Sequence, residues 1–208
     1  MRKSDSLRFL SHHDMMRTCE RVLRRTGLPL SMSEGFNPHP RYSLLWPTSV
    51  GMTSAKDYME FELKEAIPTE LVLQRLTCTS PPGLCPLKAD LLQTLKPTPV
   101  ESVEYVLVPP VNTKIDTSRL EEILSRDEWL VLRQKKSARK KCSVSRTINI
   151  RDYVLSLLAE LDRIYVHIKI TSQGTARPFE IIQIFGFTEQ EVKLWKVIRK
   201  EVHLATVS

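Results

Sequence analysis

Residues 7–30 read LRFLSHHDMMRTCERVLRRTGLPL, and this stretch decides the first element of the fold. Ser11 is placed to cap a helix, and the apolar residues after it recur at helical spacing on one face. Gly27 ends the pattern, so we predict a helix from Ser11 to about Thr26 that packs on a sheet. The preceding Leu7–Leu10 is predicted to be a short strand.

The signals that follow this helix predict a βαββαβ order in the first half of the chain. Residues 58–63 alternate apolar side chains with glutamates, which is the period of a half-buried strand. Pro68 suits the first turn of a second helix, and a strand is predicted near residues 84–92. With a further strand within residues 30–45, the order is that of a ferredoxin-like fold.

A proline-rich connector at residues 96–99 divides the chain into two predicted domains, 1–97 and 98–208. The second half repeats strand and helix signals in a similar order: a strand at 103–108, a helix opened by Ser118 and Glu121, strands near 142–150 and 164–170, and a last helix opened by Thr188 and Glu191 that carries Trp195 and Ile198. We therefore predict an α+β protein with two ferredoxin-like halves and antiparallel sheets, the second half being ferredoxin-like or a variant of it.

Composition limits the classes of function. The 208 residues include 31 Lys and Arg against 24 Asp and Glu, a net charge of +7, which favours an anionic partner such as nucleic acid. No apolar run approaches the roughly 18 residues that span a bilayer, so we expect a cytoplasmic protein without a membrane partner. The four cysteines lack the spacing of a metal or cluster site, and we expect no metal and no cofactor.

Two groups of basic residues are candidate nucleic-acid contacts. The first, the arginine row, lies on the predicted first helix opposite its apolar face: Arg17, Arg21, Arg24 and Arg25. The second, the basic segment at residues 133–141, holds six positive charges and no acid: Arg133, Lys135, Lys136, Arg139, Lys140 and Lys141. Its position before a strand indicates a β-hairpin tip or a mobile loop, a suitable shape for binding phosphates by charge.

Histidines near the first helix are candidate catalytic groups. His12 or His39 could act as a general base, because histidine titrates near neutral pH. His39 belongs to a predicted rigid rim in which Gly35 permits a left-handed turn and prolines hold the chain extended: Gly35, Phe36, Asn37, Pro38, His39 and Arg41. Packing of this rim over the first helix, with no further role, is the alternative.

Four segments together resemble a known family, the bacterial radical-SAM-linked proteins, a domain of unknown function. The segments are residues 7–14, 21–30 and 33–40, with residues 176–182 similar to the family's C-terminal motif. The resemblance implies a partner, a separately encoded radical-SAM enzyme that carries the iron–sulfur cluster. His13 departs from the family, in which this position is often apolar.

Taken together, these features predict an accessory RNA-binding protein that holds RNA by its Arg and Lys surfaces and works with a separate radical-SAM enzyme. Two alternatives stay open. One is a metal-independent endoribonuclease with a histidine general base, and the other is an adaptor that binds only the radical-SAM partner. The common nucleotide-binding, protease, hydrolase and zinc motifs are absent from the sequence, which disfavours a self-sufficient enzyme of those classes.

Overall fold

The computed structural model describes residues 1–92, 98–136 and 143–205, with side chains for all of these except residues 5, 134–136 and 143–144. The chain divides into two compact units. Unit 1 comprises Met1–Val100 together with Ile198–Ser208, and unit 2 comprises Glu101–Val197. The predicted domain limits placed the last eleven residues in the second half, whereas these residues cluster with unit 1.

The described residues form five α-helices and eleven strands. The helices are α1 (His12–Arg25), α2 (Thr69–Thr79), α3 (Ser118–Ser125), α4 (Pro178–Ile184) and α5 (Glu189–Val192). The strands are β1 (Arg2–Lys3), β2 (Tyr42–Leu45), β3 (Met52–Ser54), β4 (Tyr58–Phe61), β5 (Leu84–Cys85), β6 (Val100–Val108), β7 (Leu130–Lys136), β8 (Ser143–Asn149), β9 (Val154–Ala159), β10 (Ile164–Lys169) and β11 (Lys196–Leu204). No helix in this part of the chain is both long and apolar enough to cross a bilayer.

Helix α1 forms as the sequence predicts. The Ser11 side chain accepts a hydrogen bond from the Asp14 backbone N–H at 3.2 Å, which caps the first turn. At the other end, Gly27 adopts a φ of +64°, a left-handed conformation that a side chain disfavours. The buried face of α1 includes Cys19 and Leu23, both without solvent exposure.

Unit 1 contains two groups of strands and two helices, α1 and α2. Its strand order is β5-β1-β3-β11, and β1 runs antiparallel to both β3 and β5. Strands β2 and β4 form a separate antiparallel ribbon. Helices α1 and α2 contact each other, and the apolar core between these elements consists of Met15, Cys19, Val22, Leu23, Leu28, Leu30, Val72, Leu76 and Leu84.

Unit 2 contains two antiparallel groups of strands. The first has the order β6-β10-β9, and alternate residues of β10 (Ile164, Val166 and Ile168) are buried, as their period of two predicts. The second is the β7–β8 ribbon, in which Leu130 pairs with Asn149 and Lys136 with Ser143. Trp129 is buried at the start of this ribbon, and its indole N–H donates to the Ile123 carbonyl at 2.8 Å.

These observations confirm an α+β fold with antiparallel sheets, but they do not confirm two ferredoxin-like halves. In unit 1, the β2–β4 ribbon separates from the β5-β1-β3-β11 strands instead of completing one four-stranded sheet. In the described part of unit 2, four strands follow α3 before the next α-helix, so the order departs from βαββαβ.

Three local predictions are wrong. Residues predicted as the Leu7–Leu10 strand are mainly turn, because Asp5–Leu7 forms a 3-10 helix that leads directly to the Ser11 cap. The predicted last helix ends at Val192, although its capping box at Thr188 is present, and β11 follows it. Ser118 does not cap α3, because its hydroxyl donates to the Asp116 carboxylate at 2.5 Å.

Candidate functional site

Three of the four residues in the arginine row are open to a ligand. Arg17, Arg21 and Arg25 are exposed, and the Arg17 side chain keeps 74% of its accessible surface. The Asp14 carboxylate lies 3.9 Å from Arg17, at the outer limit of an ion pair, and no described carboxylate pairs with Arg21 or Arg25. Residues four apart lie on the same side of a helix, so these three guanidinium groups form one line.

The fourth residue, Arg24, is engaged within unit 1. Its Nε donates to Glu20 Oε1 at 2.9 Å, and its Nη2 donates to the Pro38 carbonyl at 2.8 Å. The first bond lies within α1, and the second joins α1 to the segment that follows Ser33. Arg24 therefore positions a loop, and we leave it out of the open arginines.

That segment is a closed loop with an aromatic apex, which we call the Phe36 loop (residues 34–38). The Ser33 backbone N–H donates to the His39 carbonyl at 2.7 Å, and the His39 N–H donates to Ser33 Oγ at 3.0 Å. Gly35 has a φ of +116°, which only glycine adopts easily. At the apex, the Phe36 side chain is fully exposed.

The predicted rim is divided by a buried residue. Residues 34–39 are exposed, whereas Pro40 is buried beneath them. Arg41 lies beyond Pro40, and its guanidinium is 3.7 Å from the Glu62 carboxylate, next to β4. The structure therefore brings Gly35, Phe36, Asn37, Pro38 and His39 together in one loop and places Arg41 in a separate ion pair.

His39 fastens the base of the Phe36 loop to α1. Its Nδ1 lies 3.0 Å from Glu20 Oε1, and this hydrogen bond is the main reason that the pKa of Glu20 lies below its usual value. His12 is at the start of the same helix, eight residues before Glu20, which corresponds to about 12 Å of helix rise. The two candidate histidines therefore do not share a site.

The described part of the basic segment, residues 133–136, lies on β7. Strands β7 and β8 pair in register from Leu130–Asn149 to Lys136–Ser143. Arg139, Lys140 and Lys141 lie outside the described residues, as do the side chains of Lys135 and Lys136. On the described part of the ribbon, Arg146 is exposed and pairs across the strands with Arg133.

Arg133 is held in a half-buried ion pair. Its Nε and Nη2 donate to the two carboxylate oxygens of Glu180 at 2.6 and 2.7 Å, and Nη2 also donates to the Thr175 carbonyl. The Glu180 carboxylate also accepts from the Arg177 backbone N–H at 2.8 Å at the start of α4. Because Arg133 is committed to these contacts, we do not include it among the open basic residues.

A feature that sequence reasoning missed is a buried ionic network in unit 1. Arg199 of β11 is 1% exposed, and its guanidinium donates to the Asp57 carboxylate and to Ser54 Oγ. It also donates to the carbonyl of Trp46, whose φ of +49° is unusual for a large side chain. The network therefore joins β11 to β3 and to the two loops that precede and follow β3.

A second buried cation, Lys3 of β1, lies close to this network and is 2% exposed. Its ammonium donates to the Thr48 hydroxyl, and no described carboxylate lies within ion-pair distance of it. Burial lowers the pKa of Lys3, Asp57 acts in the opposite direction, and Arg199 lowers it further. Lys3, Thr48, Asp57 and Arg199 all line one pocket, which we call the cationic pocket.

The cationic pocket is small and partly open. Its volume of about 10 Å³ is that of a cavity for a single water molecule. His12 and Met15 border it from the first turn of α1, and Tyr58 borders it from β4. The site therefore consists of two buried cationic side chains, Lys3 and Arg199, next to the amino-terminal end of α1.

Comparison with known families assigns the chain to a bacterial group. Residues 1–178 match the family described as "uncharacterized protein conserved in bacteria (DUF2344)". The chain belongs to this family. The match includes α1, the Phe36 loop and the β7–β8 ribbon, and it ends before Arg199. Searches of curated proteins and of solved structures found no match.

Proposed function

We propose that this DUF2344 protein binds RNA, with the open arginines of α1 as its principal phosphate contacts. The observation that carries this proposal is the line formed by Arg17, Arg21 and Arg25 on a capped and packed helix. Like charges four residues apart destabilise a helix by a few tenths of a kcal/mol per pair. A row of phosphates would remove that repulsion, and each guanidinium can bind a phosphate with two parallel hydrogen bonds.

The Phe36 loop supports a preference for unpaired RNA. An exposed aromatic ring can stack on a base, which contributes about 1–3 kcal/mol per base and tolerates any sequence. The loop is attached to α1 at two points: His39 contacts Glu20, and the Pro38 carbonyl accepts a hydrogen bond from Arg24. Phe36 is thus held next to the helix that carries the open arginines. This combination of an aromatic ring and cationic groups suits single-stranded RNA.

The β7–β8 ribbon is the second contact in this proposal. Arg146 is exposed on its described part, and the sequence between the strands carries Arg139, Lys140 and Lys141. The +7 net charge of the chain agrees with a polyanionic partner. By resemblance, we propose further that the bound RNA is presented to a separate radical-SAM enzyme.

Salt dependence of RNA binding tests the proposal. For single strands, log K falls with log salt by about 0.7 for each phosphate contact, so three contacts give a slope of about −2. Replacing Arg17, Arg21 and Arg25 by Gln should reduce the slope by that amount and weaken binding at 50 mM salt. A matched control replaces the exposed Lys64, Lys114 and Lys193 by Gln, with the same loss of charge.

Binding that is absent, or that changes equally in the two triple variants, would contradict the proposal. Phe36→Ala is an independent test, because loss of about 1–3 kcal/mol of stacking should weaken binding by about 5- to 150-fold without altering the salt slope. If RNA binding were absent and Phe36→Ala abolished capture of the radical-SAM enzyme, the adaptor alternative would replace RNA binding.

A second candidate function, metal-independent RNA cleavage, rests on the His39–Glu20 pair. A carboxylate that holds one imidazole nitrogen orients the ring as a general base. Here Glu20 holds Nδ1, and the His39 side chain is 61% exposed. Incubating the protein with RNA in EDTA tests this function, with His39→Asn against His13→Asn as the control. Uncut RNA, or equal cleavage by both variants, would exclude a role for His39 as the base.

A further inference from the structure

We propose that the cationic pocket of unit 1 binds a phosphate-type oxyanion through Lys3 and Arg199. This site is separate from the open arginines of α1 and does not depend on RNA binding. It would accept one oxygen of a phosphoryl group, with the rest of the group at the mouth of the pocket. The proposal rests on the charge of the buried groups, the hydrogen-bond donors around them and the size of the space.

The buried charges do not balance among the described side chains. Lys3 and Arg199 are both at least 98% buried, and Asp57 is the carboxylate beside them. Asp57 binds Arg199 directly, which leaves the Lys3 ammonium with the neutral Thr48 hydroxyl. Asp57 acts on Lys3 only at a distance, and an ammonium buried without a directly paired counter-ion is destabilising. An anion in the pocket would supply the missing charge.

Unused hydrogen-bond donors face the same region. An ammonium has three N–H donors, and the structure gives Lys3 one acceptor. The first turn of α1 borders the pocket through His12. Ser11 caps the Asp14 N–H, and the structure gives the N–H groups of His12 and His13 no acceptor among the described residues. Such groups at a helix amino end favour an anion.

The size and lining of the pocket exclude other kinds of ligand. A volume of about 10 Å³ admits one oxygen-sized atom but no apolar ring. The two buried cations would repel a metal ion, and Asp57 is the single carboxylate among the described residues of the pocket that could bind one. Leu44, Leu45 and Met15 line the remaining wall and keep the local dielectric low, which strengthens attraction between Lys3 and an anion.

Phosphate binding by the full chain tests the site. We would titrate inorganic phosphate by calorimetry and by thermal unfolding, holding the ionic strength constant with chloride. Saturable binding is expected for the wild type and for Lys56→Met, which replaces a half-exposed lysine paired with Glu201. In Lys3→Met the affinity should fall at least tenfold. Lys3→Met should also be at least as stable as the wild type without phosphate, because an unpaired buried charge has been removed.

A second measurement needs no variant and covers the case in which Lys3→Met fails to fold. In ¹⁵N-labelled wild-type protein, phosphate should shift the backbone amide signals of Lys3, His12 and Thr48 before those of the α1 arginines. Shifts confined to Arg17, Arg21 and Arg25, equal affinities for wild type and Lys3→Met, or no saturable binding would overturn the proposal.

Two competition arms identify the source of the phosphate. A short RNA with a 5′-phosphate and the same RNA with a 5′-hydroxyl are added to the phosphate-bound protein. If only the first displaces phosphate, the pocket binds the end of an RNA strand; if neither does, it binds a small phosphorylated molecule. Both results support the site. Because phosphate is measured directly, the pocket can be confirmed even if the proposed RNA binding fails.

Discussion

Replacing Arg133 by Met should strongly destabilise unit 2. The substitution removes two hydrogen bonds of 2.6 and 2.7 Å to Glu180, whose side chain is 9% exposed, and leaves that carboxylate without its cation. Breaking a buried ion pair in this way costs about 3–5 kcal/mol. For a chain of this length that loss lowers the Tm by about 6–20 °C. Calorimetry and urea unfolding would measure the change in the free energy of unfolding.

Arg146 provides a control on the opposite strand. It pairs with Arg133 across the β7–β8 ribbon but is exposed, so Arg146→Met should change stability by no more than about 0.5 kcal/mol. Adding Glu180→Gln to Arg133→Met should restore part of the loss, with a coupling energy of about 2 kcal/mol. If Arg133→Met were as stable as Arg146→Met yet bound RNA more weakly, Arg133 would be an RNA contact and our reasoning from the ion pair would fail.

Three further outcomes are expected. Leu23→Ala, at a position with no solvent exposure, should lower the free energy of unfolding by about 2–5 kcal/mol in urea titrations. Burial raises the pKa of the Cys19 thiol to about 12, which keeps this thiol protonated and unreactive at pH 8. Iodoacetamide at pH 8 should therefore modify the exposed Cys78 in the native protein, but Cys19 only after unfolding, and peptide mass mapping would measure both reactions. The His39 hydrogen bond lowers the pKa of Glu20, so the Glu20–His39 attachment is complete above the ordinary pKa of 4.5 and is lost as the pH falls through the lowered value. Amide hydrogen exchange of the Phe36 loop should therefore become faster in acid, relative to its intrinsic rate. Protection that does not change with pH would contradict this prediction.

The helix that the sequence predicts best is the one with signals at both ends. Ser11 and Gly27 fix the limits of α1 by local hydrogen bonding and backbone conformation, so neighbours far along the chain do not alter them. The strand β10 was predictable for a similar reason, because Ile164, Val166 and Ile168 alternate without interruption. Local chemistry and tertiary packing agree in both elements.

Strand β11 was missed because its inward positions are not all apolar. Val197, Arg199 and Val202 are its buried residues, and a pattern of apolar alternation counts Arg199 as a surface residue. Its burial depends on Asp57, 142 residues earlier. A partner at that distance leaves no signal in the local sequence.

The candidate site was predictable only in part. The exposure of Arg17, Arg21 and Arg25 follows from helical period, whereas the engagement of Arg24 depends on where the Phe36 loop folds back. Arg133 belongs by composition to a basic segment, yet its ion pair with Glu180 requires two elements 47 residues apart to meet. The cationic pocket combines residues from both ends of the chain, each ordinary in its own neighbourhood.

The position of Arg199 in β11 has a consequence for synthesis on the ribosome. Unit 1 is discontinuous, since residues 101–197 separate its two parts in the sequence. At about 5–20 residues per second, translation leaves unit 1 without its last strand for several seconds or longer. During that interval Asp57 lacks the guanidinium that binds it, and synthesis of unit 2 is completed before Arg199 is added. Unit 1 therefore cannot reach its native state before unit 2 has been synthesised, which departs from the usual order in which amino-terminal domains fold first.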